Sequence, residues 1–142
     1  MSSSLGETQL SILLSGLLPQ LHPSTFVFVT LPATAIPAGL EPVGQFHEAE
    51  GTTLILPQAQ AEQAQLPYQY PCRMITLTVH SSLAAVGMLA AITQALTAEG
   101  ISTNVVSAYF HDHLFVPCDR VEDTLNCLAQ LAASSTDEPD QV

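Results

Sequence analysis

The sequence predicts an α+β fold, an antiparallel sheet with helices on one face, and three observations predict it. Short β-rich runs that end in proline recur along the chain: TFVFVTLP at 25–32, TTLILP at 52–57 and HLFVP at 113–117. Helix-length stretches with apolar residues at helical spacing lie between or after them, above all SSLAAVGMLAAITQALTAEGI at 81–101 and CDRVEDTLNCLAQLAAS at 118–134. The two halves also share an order. FHEAEGTTLILP at 46–57 matches FHDHLFVP at 110–117, which has a shorter turn, and each runs directly into a helix. Strand, helix, strand, strand, helix is the order of an antiparallel sheet covered on one side.

The elements follow in turn. LSILLSGLLPQL at 10–21 carries leucines at 10, 13, 14, 17, 18 and 21, the stripe of a helix packed on a sheet. It is too short to span a bilayer, and no basic segment precedes it, so secretion is not expected. TFVFVTLP is a strand that Pro32 ends, and residues 32–42, with three prolines and a glycine, form a loop. QFHEAEGTTLILP at 45–57 reads as strand, turn around Glu50 and Gly51, and strand; QAQAEQAQL at 58–66 is a short helix. YQYPC at 68–72 is a brief strand or connector. RMITLTVH at 73–80 alternates, with Ile75, Leu77 and Val79 on one face and Thr76, Thr78 and His80 on the other.

The helix over 81–101 has serine at its start and Gly100 at its end. Ala85, Leu89, Ile92 and Leu96 form its core stripe, with Met88, Ala91 and Ala95 off it, and the surplus apolar surface implies a lobe–lobe or subunit contact. STNVVSAYF at 102–110 and HLFVP are strands. In the closing helix, Asp119, Glu122 and Asp123 occupy the first turn, where the helix dipole favours negative charge. The chain divides into an N-terminal lobe with its leading helix (1–71), a C-terminal domain (72–134) and an acidic, disordered tail (135–142) that holds Asp137, Glu138 and Asp140.

Charge narrows the function. Thirteen acidic residues face two basic ones, Arg73 and Arg120, and the formal net charge is −11. Without a basic stripe, nucleic acid and anionic membrane are poor partners. An anionic ligand would rest mainly on backbone N–H groups. A hydrophobic content of 47% excludes a disordered chain. The three cysteines, Cys72, Cys118 and Cys127, lack C-x-x-C spacing and read as reduced thiols of a cytoplasmic protein. No nucleotide-binding glycine loop, G-x-S-x-G elbow or zinc-type Cys/His cluster occurs, so the chain is expected to be no enzyme and to need no cofactor or metal.

Three short segments carry chemistry. In HSSLAAVG at 80–87, Ser81 or Ser82 can cap the helix while other N–H groups stay free for a carboxylate, and Gly87 permits close approach. In EAEGTT at 48–53, Glu48 and Glu50 sit at a turn, and Glu50 is the residue suited to meet an α-ammonium group. In FHDHLFVP, His111 and His113 would project to one side of a strand, and Asp112 is a common turn residue; the segment reads as a hairpin turn whose histidines touch the neighbouring lobe or protomer. Two alternatives stand beside ligand binding. One is a metal-binding protein or small metal-dependent enzyme built on His80, His111, Asp112 and His113. The other is a structural interaction module docking through the apolar helix around Met88 and Ala91.

The stretch VHSSLAAVGMLAAITQALTAEGISTNVVSAYFHDHLFVP at 79–117 resembles an ACT domain, the βαββαβ regulatory module of many enzymes of amino-acid metabolism. Its core, VGMLAAITQALTAEGISTNVVS, is similar to the G-x-[IL]-A-x-[IL]-x-x-x-L-x-x-x-G-I run of these modules. With Phe46, Glu48, Glu50, Gly51, Thr53 and Leu54 in the first half, the likeness extends over about residues 5–133. It looks nearest to the aspartokinase-like branch and to small bacterial stand-alone tandem ACT proteins. The resemblance implies ferredoxin-like ACT units in tandem, a homodimer, and a small amino-acid-like ligand held by Ser81, Ser82, Leu83, Val86 and Gly87 with Asn104 and Val105 of a neighbouring unit. Two departures stand out. No final strand follows the closing helix, and no helix separates the first two strands. The lobes are therefore expected to complete each other's sheets, with the leading helix covering what the missing one would cover.

Overall fold

Two strands serve both halves of the chain. The computed structural model describes residues 10–79 and 86–136. Along them run helix α1 (10–15), β1 (Pro19–Leu31), β2 (Gly44–Glu48), β3 (Gly51–Pro57), α2 (Gln58–Gln63), β4 (Gln69–Leu77), α3 (Met88–Ala98), β5 (Asn104–Ser107), β6 (Asp112–Pro117) and α4 (Val121–Thr136). All six strands join one antiparallel sheet in the order β2-β3-β1-β4-β6-β5. Taking β1 to β4 as strands one to four of the first unit, the order is four-one-three-two. Taking β4, β5, β6 and β1 as strands one to four of the second, it is the same again. The fourth strand absent after α4 is supplied by β1, and β4 closes the first unit in return. Pro71 and Cys72, between which the sequence divides the lobes, are neighbours within β4.

Side-chain alternation sorts the sheet into two faces. On one face, Ile75, Leu77, Leu114 and Val116 pack with Met88, Ile92 and Leu96 of α3, with Leu128 of α4 and with Leu14 and Leu17. On the same face but as a separate cluster, Val27, Val29, Leu54 and Leu56 pack on Ala61 of α2. Among the described residues, the other face carries no helix. There Phe26, Ile55, Cys72, Met74 and Phe115 are buried against one another, with Phe28 and Tyr70 at the margin. Rings close that surface edge-on, Phe26 on Phe115 at 6.2 Å and Phe28 on Tyr70 at 5.9 Å. Irregularities in the β1–β4 register, between Leu21 and Thr25 and between Phe26 and Phe28, bend the two strands. Tyr70, at φ 62°, sits at the second of these.

Three sequence expectations are corrected. The leading helix stops at residue 15, and the chain is extended from Pro19, where Thr78 donates to the Leu18 carbonyl from N (3.2 Å) and Oγ1 (2.7 Å). Proline at 19 and 23 cannot continue a helix, and the leucine spacing there belongs to a turn and a strand. The leading helix also does not stand in for the missing one: Leu14 joins the second unit's cluster, while Leu40 of the 32–43 loop, Leu66 and Tyr68 close the first. In α3 the core row is Met88, Ile92 and Leu96, flanked by Ala91 and Ala95, and Leu89 is half-buried. Helix α4 runs to Thr136, and residues 137–142 lie outside the described residues.

The end of α3 matches the sequence. Gly100 is left-handed at φ 71°, Gly100 N donates to Thr97 O and Ile101 N to Leu96 O, the two bonds of a Schellman turn. Arg120 then gives Nη1 and Nη2 to the Gly100 and Glu99 carbonyls and pairs with Asp123 at 2.9 Å, tying α4's first turn to α3's last. Among the described residues, no helix is long and apolar enough to cross a membrane.

Candidate functional site

α3 begins abruptly. Gly87, left-handed at φ 99°, is its N-cap, and no side chain caps the helix there. A left-handed residue favours glycine, and a Cβ at this point would lie 3.6 Å from Leu10 of α1. Val86 beside it is 89% exposed. Ser81, Ser82 and Leu83 lie outside the described residues, as does His80. Among the described residues, the first N–H groups of α3 thus open between Leu10 and Val86, and a helix start can hold a carboxylate.

The other candidates are dispersed within one chain. Asn104 opens β5, beyond the far end of the eleven-residue α3, roughly 16 Å from Gly87 at about 1.5 Å per residue. Val105 is half-buried against the second unit's core. Glu50 is exposed in the two-residue turn between Glu48 and Gly51. That turn sits beside Leu31, whereas α3 starts at the sheet end where Pro19 pairs with Leu77. The thirteen residues of β1 separate these ends by roughly 40 Å at about 3.3 Å per residue. Glu48 accepts a hydrogen bond from the Thr53 hydroxyl. A site uniting Gly87 with Glu50, Asn104 or Val105 needs a second copy.

The histidine segment is a hairpin, as its sequence predicts. Ala108 N donates to His111 O across the turn, and Tyr109 and Phe110 stand out from it, exposed, with rings 4.8 Å apart. Asp112 already belongs to β6 and accepts the Ser107 hydroxyl at 2.5 Å. His113 alternates to the helix-free face, where Nδ1 and Thr76 Oγ1 share a hydrogen bond of 2.9 Å. Asp112 and His113 therefore diverge, and among the described residues no three His, Cys, Asp or Glu side chains are grouped to hold a metal.

Burial, and then the positive charge of His111, hold the His113 pKa below its ordinary 6.5, against the pull of Asp112. A depressed folded pKa means the unfolded chain takes up the proton first. This contribution to stability is complete above about pH 6.5 and is lost as the pH falls toward the folded value. In urea titrations, His113→Gln is expected to lose less stability than the parent between pH 7.5 and 5.5. Equal losses would mean His113 titrates as it does in water.

Cysteine chemistry is similarly graded. Cys72 is buried, its thiol donates to Phe26 O at 3.3 Å, and burial together with nearby Cys118 pushes its pKa up to about 12. Burial, with Glu99, also raises that of Cys127. Cys118 is exposed. Thiolates react and thiols do not, so native alkylation by iodoacetamide is expected to mark Cys118 at least about tenfold faster than Cys72. Peptide mass spectrometry reads this out; equal labelling would show the sheet opening.

The comparisons agree with this architecture. Two family models, each describing the ACT domain, match residues 5–73 and 69–130, overlapping in β4. No curated protein matches the chain. Among solved structures, a protein of unknown function from Vibrio cholerae, described as a possible transport protein, is 40% identical with a TM-score of 0.81, over 89% of this chain and 98% of that one. A protein from Agrobacterium tumefaciens shares 19% identity and a TM-score of 0.70, covering 82% and 89% of the two chains. The regulatory subunit of aspartate kinase from Thermus thermophilus, ligand-free, shares 10% identity and a TM-score of 0.61 over 80% and 95%. The last two are likenesses of fold.

Proposed function

The chain belongs to the ACT-domain family, as two units in tandem, and on that premise we propose that it is a non-catalytic cytoplasmic sensor of a small amino-acid-like molecule, working as a homodimer. ACT domains are regulatory modules that bind small ligands. The observation that carries the reading is the start of α3: an uncapped helix end at a left-handed glycine, in a chain with two cations. A carboxylate rests there on the first N–H groups, and the family likeness assigns Ser81, Ser82, Leu83 and Val86 to the same ligand. Since one copy keeps Gly87 far from Glu50, Asn104 and Val105, these meet the ligand from the second protomer, Glu50 on its ammonium group. Binding favours one arrangement of the protomers, because a ligand shifts an equilibrium only between states it binds unequally.

Thermal denaturation with each proteinogenic amino acid at millimolar concentration tests this. A ligand at a hundred times its dissociation constant adds about 2.7 kcal/mol, so a rise in midpoint of about 5 °C or more is expected for at least one. No rise with any of them removes the reading.

A further inference from the structure

Of the two arginines, Arg120 is fully engaged between α3 and α4, but Arg73 is not. Arg73 lies in the middle of β4, opposite Thr25 of β1 on one side and Val116 of β6 on the other. Its neighbours Cys72 and Met74 belong to the helix-free face, so alternation turns Arg73 to the helix-bearing face. There it falls on the seam of the two units, in neither of that face's apolar clusters, and Thr25 is likewise outside both. The register irregularity after Leu21 presents the His22 carbonyl, which accepts Nη2 at 2.9 Å. Nε is buried and has no partner. Among the described residues, the ion pair is Arg120 with Asp123, and no carboxylate pairs with Arg73, in a chain of thirteen acids.

A half-buried guanidinium without a counter-charge is costly, and its Nη groups keep donor capacity beyond the single bond to the His22 carbonyl. We propose that Arg73 anchors an anion site on the seam of the two units, taking the carboxylate of a small organic acid or amino acid, with the Thr25 hydroxyl as a second donor. The guanidinium fork matches a carboxylate in plane. Cross-strand neighbours on one face hold their Cβ atoms about 5 Å apart, close enough for both groups to reach one anion. This site stands four residues down β4 from the end where α3 begins, and it does not depend on binding there.

Two arginines make the test direct. Protein labelled with 15N-arginine gives two Nε–H signals, which Arg73→Met assigns. Titration of the full chain with succinate or L-aspartate is expected to move the Arg73 signal saturably and leave that of Arg120 in place, while succinamide moves neither. Binding should weaken at least about tenfold in Arg73→Met and less in Arg73→Lys, which keeps the charge without the fork. The proposal is overturned if the Arg73 signal stays still, if both signals move together, or if sodium chloride of equal ionic strength gives the same shift. It is also overturned if Arg73→Met binds as the parent does, an outcome that leaves the site at α3 standing.

Discussion

Phe115→Ala is expected to cost about 3–5 kcal/mol, a large part of the roughly 5–15 kcal/mol that holds such a domain folded. Phe115 is 2% exposed at the centre of the helix-free face. Phe26 meets its ring at 6.2 Å and 89°, and Phe28 at 6.1 Å and 81°. Its carbonyl accepts the Tyr70 hydroxyl at 3.2 Å, and the Ser102 hydroxyl shares a hydrogen bond of 3.0 Å with the Tyr70 hydroxyl, so the phenolic end of the neighbouring ring is fixed. No helix can slide in to fill the gap, because this cluster is made of strand residues alone. The vacated volume persists as a cavity, and its cost adds to the lost burial. Urea denaturation gives the number, with Phe115→Leu as the smaller step. A loss under about 1 kcal/mol would show that the face is loosely packed.

A chain cut to residues 69–136 is expected not to fold, although it contains every helix and strand of the second unit except one. Without β1, β4 becomes an edge strand, and its pairs with Pro19, Leu21, Thr25 and Phe26 are lost. Leu14 and Leu17 go as well, stripping the cover from Ile75 and Leu77. For the same reason the whole chain should unfold in one step, with far-ultraviolet dichroism and tyrosine fluorescence falling together in urea. Two separated transitions, or a folded fragment by NMR, would contradict the shared-strand account.

Local signals were legible wherever a local cause exists. Pro57 and Pro117 end strands, Gly51 closes a two-residue turn, and Gly100 ends α3, because each acts on its own backbone. The hidden features depend on distant partners. Leucines at 17, 18 and 21 mimic a helical stripe, and pairing with β4 sixty residues on makes that segment a turn and a strand. The inward row of α3 depends on how the helix packs on the sheet, and the helix begins at Met88, later than the capping pattern at Ser81 suggests. Likewise, that β1 completes the second unit is a statement about register, to which periodicity is blind. Among site residues, the place of Val86 and Gly87 in the strand-to-helix loop was readable. The separation of Glu50 from them was not, since it follows from the direction of β1. Arg73 offered one clue, its rarity; its missing counter-charge appears only when the strands are laid side by side.

Riveting two modules through common strands removes the hinge that tandem repeats ordinarily possess. Neither half can swing while β1 and β4 stay zipped, so the fold has no internal joint between its units. The rims of the sheet are the short outermost strands β2 and β5. Such a fold is less a clamp than a stiff plate.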